Sequence, residues 1–72
     1  MYIFRTRVGA FSVIQHNGRW HAMFRDESLG SYISPQQATD DLAGGHTFTA
    51  PGGYDTSTLG IPEDIGEWEH IK

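Results

Sequence analysis

Apolar side chains recur at every second position around Asn17-Gly18, with Phe11 and Val13 before it and Trp20, Ala22 and Phe24 after it. Such alternation sends one set of side chains to one face of a β-strand and the rest to the other. Asn-Gly between two runs of this kind is the strongest short-range sign of a two-residue hairpin, because a type I′ turn needs positive φ at both central residues. The turn sets the register. His16 faces Arg19, Gln15 faces Trp20, Val13 faces Ala22 and Phe11 faces Phe24. Phe11, Val13, Trp20 and Phe24 then share one face, which is the core face.

The same pattern extends in both directions. A second turn at Asp26-Glu27 pairs Arg25 with Ser28 and sets Leu29 beside Phe24, Ser31 beside Ala22 and Ile33 beside Trp20. Upstream, Gly9-Ala10 closes a hairpin that sets Val8 by Phe11 and Phe4 by Gln15. At Ser34 the period changes. Ser34 suits an N-cap, Pro35 the first helical position and Gln37 the closing member of a capping box. Ala38 and Leu42, four apart, return to the sheet, and Gly44-Gly45 stops the helix by admitting positive φ. A helix of about nine residues is held by packing and not by its own propensity. Asp40 and Asp41 oppose its dipole by a few tenths of a kcal/mol each, a cost that surface solvation offsets.

Beyond Gly45 the signals thin. His46–Ala50 reads as a candidate further strand, Pro51-Gly52-Gly53 as a turn, Asp55–Thr58 as loop and Pro62–Ile65 as one helical turn. Ile61, Ile65 and Trp68 stand as isolated large residues among acids, the pattern of a docking tail. The fold class expected is α+β: a three- or four-stranded antiparallel meander, one helix packed on one face, and an irregular C-terminal segment. A single domain over residues 1–72 is expected, residues 1–45 forming sheet plus helix and residues 46–72 an acidic segment docked on it.

Composition narrows the setting. The chain has 72 residues and no cysteine, so neither disulfides nor thiolate metal sites supplement a core near the lower size limit. Small secreted domains usually carry disulfides, so the lack of cysteine points toward a reducing compartment. The first residues lack the basic-then-apolar order of a signal peptide, and no apolar run approaches membrane-spanning length. A cytoplasmic protein is expected. The net charge of −4 is split unevenly: residues 1–33 carry four arginines against two acids, and residues 34–72 carry one lysine against seven acids. A division of this kind points to a partner or to an internal contact between the halves.

The face away from the core collects the candidate binding residues: Ile14, Arg19, His21, Met23, Arg25 and Tyr32, joined by Ser12, His16 and Gly30, and by Ile3, Arg5 and Arg7 where the first strand pairs. Ile14, His21 and Tyr32 fall in one cross-strand row, within touching distance. Three occupants fit this surface. One is the acidic tail, with Trp68 and Ile65 over Ile14 and Met23, and with Glu67 and Glu69 against arginines. Another is a second copy, docked through the face or through an edge strand. The third is an external partner, with the arginines recognising carboxylate or phosphate and Tyr32 and His21 stacking.

Within residues 11–43, Gly18-Arg19-Trp20-x-Ala22-x-Phe24-Arg25-Asp26, Leu29-Gly30-x-Tyr32, Ala38 and Leu42 form a pattern. It resembles the Apetala/ethylene-response type of DNA-binding domain and the related arm-binding domains of phage integrases. The resemblance implies three strands packed on one helix and a sheet face that reads the major groove, with Arg25 at a DNA-contacting position and Trp20 at a core position. Ser28 and Met23 stand where those domains use tryptophan and glutamate. The whole chain is also similar to short bacterial proteins of unassigned function that carry Arg-Trp-His and Leu-Gly-Ile-Pro segments, a likeness that implies no activity.

Reaction chemistry is not legible. His16, His21, His46 and His70 show no metal-ligand spacing, and no zinc or calcium motif is present. Asp55-Thr56-Ser57 lacks the glycine of an aspartyl-protease triplet, and there is no nucleophile elbow or phosphate loop. The expectation is therefore a non-enzymatic interaction module without cofactor or metal, binding a protein partner or itself as a homodimer. The alternative is a nucleic-acid-binding module using the open sheet face through Arg19, Arg25 and Tyr32, which the overall acidity disfavours. A more remote option is that the acidic half mimics nucleic acid toward a basic partner.

Overall fold

A computed structural model describes residues 1–47 and 53–71. Of the strand expected at His46–Ala50 and the turn expected at Pro51–Gly53, residues 48–52 lie outside the described residues, and His46 and Thr47 are not in a strand. The architecture is α+β. Four strands, β1 (Tyr2–Thr6), β2 (Gly9–His16), β3 (Arg19–Phe24) and β4 (Glu27–Tyr32), run as an antiparallel meander. Helix α1 (Pro35–Gly44) follows, then two 3₁₀ turns at Thr56–Thr58 and Ile65–Glu67, and a two-residue strand β5 (Glu69–His70). The sheet order is β4-β3-β2-β1-β5.

The β2–β3 hairpin pairs in the register that its turn dictates, from His16 opposite Arg19 to Phe11 opposite Phe24. Asn17 (φ 53°) and Gly18 (φ 76°) supply the two left-handed residues. Phe11 and Phe24 meet with ring centroids 4.8 Å apart, within the range for favourable tilted aromatic pairs. The β1–β2 turn falls at Arg7-Val8 and not at Gly9-Ala10, so Phe4 pairs with Phe11 and Tyr2 with Val13. Thr6 drives this choice: its Oγ1 donates to the Gly9 carbonyl at 2.8 Å and accepts from the Val8 amide at 3.2 Å.

The β3–β4 turn also differs from the expected position. It sits at Arg25-Asp26, pairing Phe24 with Glu27 and Met23 with Ser28, and a β-bulge then shifts the register so that Ala22 pairs with Gly30 and Trp20 with Tyr32. One extra residue exchanges the faces of everything beyond it. Leu29 lies in the core as expected at 0% exposure and Tyr32 joins it at 7%, while Ile33, expected in the core beside Trp20, is 69% exposed.

Ser34 caps α1, its Oγ accepting from the Gln37 amide at 3.2 Å, with Pro35 in the first turn. Gln37 reaches back to the Ile33 amide, one residue before the cap. At the other end Gly45 (φ 74°) is left-handed, and the His46 amide donates to the Asp41 carbonyl at 2.8 Å, a Schellman closure. Ala38 and Leu42 are fully buried against the sheet. Asp41 is not merely solvated: its carboxylate acts electrostatically on the buried Tyr32 phenol of β4, so helix and strand are coupled through this pair.

The C-terminal segment docks beside α1 on this same face. Leu59, Ile61 and Trp68 are buried in the core, Ile65 packs against it, and the Trp68 ring lies 5.7 Å from that of Phe4. Polar side chains of the helix hold it. Thr39 Oγ1 donates to the Glu63 carbonyl at 2.6 Å. Gln36 donates to the same carbonyl at 2.7 Å and accepts from the Ile65 amide at 3.2 Å. Trp68 donates its indole N–H to the Pro62 carbonyl at 3.1 Å, satisfying the one polar atom of that buried ring. β5 then pairs with β1, Tyr2 opposite His70 and Ile3 opposite Glu69.

Two measurements check this register. Phe11→Ala is expected to lower unfolding free energy by about 3–5 kcal/mol, and Ile33→Ala to change it by about 0.5 kcal/mol or less, read from denaturant midpoints. Burial, and then the nearby Asp41 carboxylate, push the Tyr32 phenol from 10.0 up to about 12. The folded state thus holds this proton more tightly than the unfolded chain. Its contribution is complete below pH 10 and is lost as pH rises through about 12. Tyr32→Phe is expected to remove that component of the alkaline decline in stability.

Candidate functional site

With helix and tail on one face, the opposite face of the sheet is left open among the described residues. Pairing builds it in rows. Glu69, Ile3, Ser12, Met23 and Ser28 run across all five strands in one row, and Ile14, His21 and Ser31 form the next. His16 and Arg19 close the end nearest the Asn17-Gly18 turn, and Arg5 lies opposite Ala10 toward the other end. Ile3, Ile14 and Met23 are half-buried by their neighbours. They form an aliphatic strip that directly opposed and diagonal side chains share.

Four of the six candidate binding residues come together here: Ile14, Arg19, His21 and Met23. Two do not. Tyr32 belongs to the core face because of the bulge. Arg25 occupies the β3–β4 turn at φ 55° and lays its guanidinium over the Phe24 ring, 5.1 Å from the centroid, where a cation is attracted by the ring quadrupole. The tail does not cover the face either. Trp68 packs on the core side, so the expected cover of Ile14 and Met23 by Trp68 and Ile65 is not what the chain adopts. From the tail, Glu69 reaches round, meeting Arg5 at 3.4 Å in an exposed pair worth little in stability.

Arg19 is held in place by β4. Its Nε donates to Ser31 Oγ at 2.6 Å and its Nη2 to the Ser31 carbonyl at 3.2 Å. The His16 and His21 rings stand 6.2 Å apart beside it. Ser31 was expected on the core face, and Ile3 and Glu69 join the site only through strand pairings. No motif marks any of the three. The remaining arginine, Arg7, turns away from the face and donates to the Thr58 carbonyl at 3.1 Å.

The other chemistry-bearing groups are structural. Asp55 caps the 3₁₀ turn at Thr56–Thr58, and hydrogen bonds from the Ser57 hydroxyl (2.7 Å) and amide (3.0 Å) hold its carboxyl below the usual range, with His46 adding a favourable charge. The Asp-Thr-Ser triplet is thus a capping turn. An open hollow of about 200 Å³ adjoins it, lined by Gly45, Thr47, Gly53, Tyr54, Asp55 and Thr56. That is below the several hundred Å³ of ordinary ligand pockets. The Thr56 hydroxyl is sealed from solvent, so it is not presented to the hollow. Among the described residues no group of three or more His, Asp or Glu side chains is placed to hold a metal ion, and no helix is long and apolar enough to cross a membrane.

No family model, no curated protein and no solved structure matches this chain.

A surface strip differs from a core in what it contributes to folding. Met23→Ser and Ile14→Thr are each expected to change unfolding free energy by about 1 kcal/mol or less, against about 2–5 kcal/mol for Leu29→Ala. Denaturant unfolding of the three variants checks it.

Proposed function

We propose that this chain is a small non-catalytic interaction module whose open sheet face binds a protein partner. The observation that carries the reading is the strip of Ile3, Ile14 and Met23 on the face that neither α1 nor the docked tail occupies. Aliphatic area on a flat, pre-formed sheet needs little reorganisation on association, and apolar patches rimmed by polar groups mark interaction sites. The face is favoured over the edges. β4 carries the bulge at one edge and β5 is only two residues long at the other, both devices that blunt strand-to-strand pairing.

Nucleic acid is the weaker candidate. Arg5 is paired with Glu69, Arg7 is bound to Thr58 and Arg25 is stacked on Phe24, which leaves Arg19 as the one arginine on the face without a carboxylate or ring partner among the described residues. With Tyr32 buried, the larger of the two expected stacking side chains leaves the face.

The test is site-specific photo-crosslinking of the full chain in the cells that make it. A benzophenone side chain at Met23 is expected to give discrete protein adducts, and one at Asp40, on the exposed side of α1, none. Adducts at twice the chain mass identify a second copy as the partner. Equal labelling from both positions, or none from Met23, overturns the proposal.

A further inference from the structure

The charge of the open face specifies the chemistry of its partner; this inference rests on the interaction reading above and deepens it. Arg19 is a fixed cation whose hydrogen bonds go to neutral acceptors, the hydroxyl and carbonyl of Ser31. His16 lies directly opposite it and His21 in the adjoining row, with no ion pair to a carboxylate at this corner among the described residues. Ile14, opposite His21, begins the aliphatic strip that continues through Met23 and Ile3. One end of the face is therefore a preorganised anion corner, and the rest is apolar.

The acids of the helix and of the segment docked beside it do not supply the missing anion. Asp40 is held by Gln36 on α1, and Glu63 and Asp64 lie in the segment tied to that helix, on the other side of the sheet. Glu69 reaches the open face but at the far edge, already paired with Arg5. A second copy docked face to face brings a second Arg19, and the carboxylate that β5 places on this face, Glu69, is already paired with Arg5, so the strands of the second copy offer Arg19 like charge without a free partner. A nucleic acid meets the opposite mismatch: a dense row of phosphates against a single available arginine, with aliphatic side chains where bases would stack.

We propose that the open face receives an acidic amphipathic segment of another protein. A carboxylate of that segment sits on the outward edge of the Arg19 guanidinium between His16 and His21, and its apolar residues cover Ile14, Met23 and Ile3. Arginine suits this role because its planar fork takes a carboxylate through two parallel bonds, and Ser31 has already fixed the plane.

Fluorescence anisotropy of the full chain with three labelled probes tests the assignment. The first is an amphipathic peptide of about 18 residues, five helical turns, with leucines on one face and glutamates on the other. The second is its glutamine-for-glutamate analogue, and the third a mixed-sequence DNA duplex. At about 50 mM salt the acidic peptide is expected to bind at least tenfold more tightly than the analogue or the duplex, and to weaken toward about 200 mM. Arg19→Gln is expected to lose about tenfold in affinity, while Arg25→Gln, the same change in net charge off the face, stays within about twofold.

The glutamine analogue reads the anion requirement on folded wild-type protein, whatever the Arg19 variant does to stability. Equal binding of the two peptides, equal loss in the two arginine variants, or preference for the duplex overturns the inference. Absence of peptide binding while Met23 still gives adducts overturns the acidic partner and leaves the interaction face standing. Absence of both overturns the two together.

Discussion

Everything in this fold is referred to the central hairpin, and the hairpin is referred to two left-handed residues. Asn17 and Gly18 at positive φ fix which residues of β2 and β3 oppose each other, and a period of two then decides which side chains share a face. Phe11, Val13, Ala22 and Phe24 go to one side and become the floor on which helix and tail pack. Ser12, Ile14, His21 and Met23 go to the other. The core and the binding face are thus two readings of one register.

What was legible in the sequence was what local chemistry encodes. The Asn-Gly turn and the Ser-Pro-Gln-Gln helix start are each written within four residues, and the structure follows them. The β1–β2 turn was misplaced because Gly9 is a weaker signal than the Thr6 hydroxyl that braces Arg7-Val8. The parity was kept, so Ile3 and Arg5 stay on the open face. The bulge was illegible for a different reason. Leu29 and Tyr32 are three apart, and only the extra residue lets both enter the core. Leu29 is in the core in either register, so the bulge amounts to an exchange in which the larger Tyr32 is buried and Ile33 is released to solvent.

The candidate site inherits these strengths and gaps. Ile14, Arg19, His21 and Met23 depend only on the hairpin register and fall where the pattern puts them. Tyr32 and Arg25 depend on β4 and its turn, and they leave the face. The tail was legible as a docking segment from Ile61, Ile65 and Trp68, but its choice of face was not, since isolated apolar residues carry no periodicity. The choice is made by polar groups of α1, Gln36 and Thr39, which bind the Glu63 carbonyl and so lay the tail alongside the helix.

The pairing of β5 with β1 has a kinetic meaning. Every other strand pair joins neighbours in sequence and closes a loop of a few residues, whereas Tyr2 meets His70 across nearly the whole chain. Loop-closure entropy makes such a contact the slowest to form, and the two backbone hydrogen bonds between Met1 and Ile71 at 2.9 and 2.7 Å are its outermost clasp. Local opening therefore begins at the β1 edge, with the tail, and reaches β2 and β3 last. Ile14, Arg19, His21 and Met23, the greater part of the surface offered to a partner, lie on the hairpin that opens last, so they remain in place while the β1 edge, with Ile3, breathes.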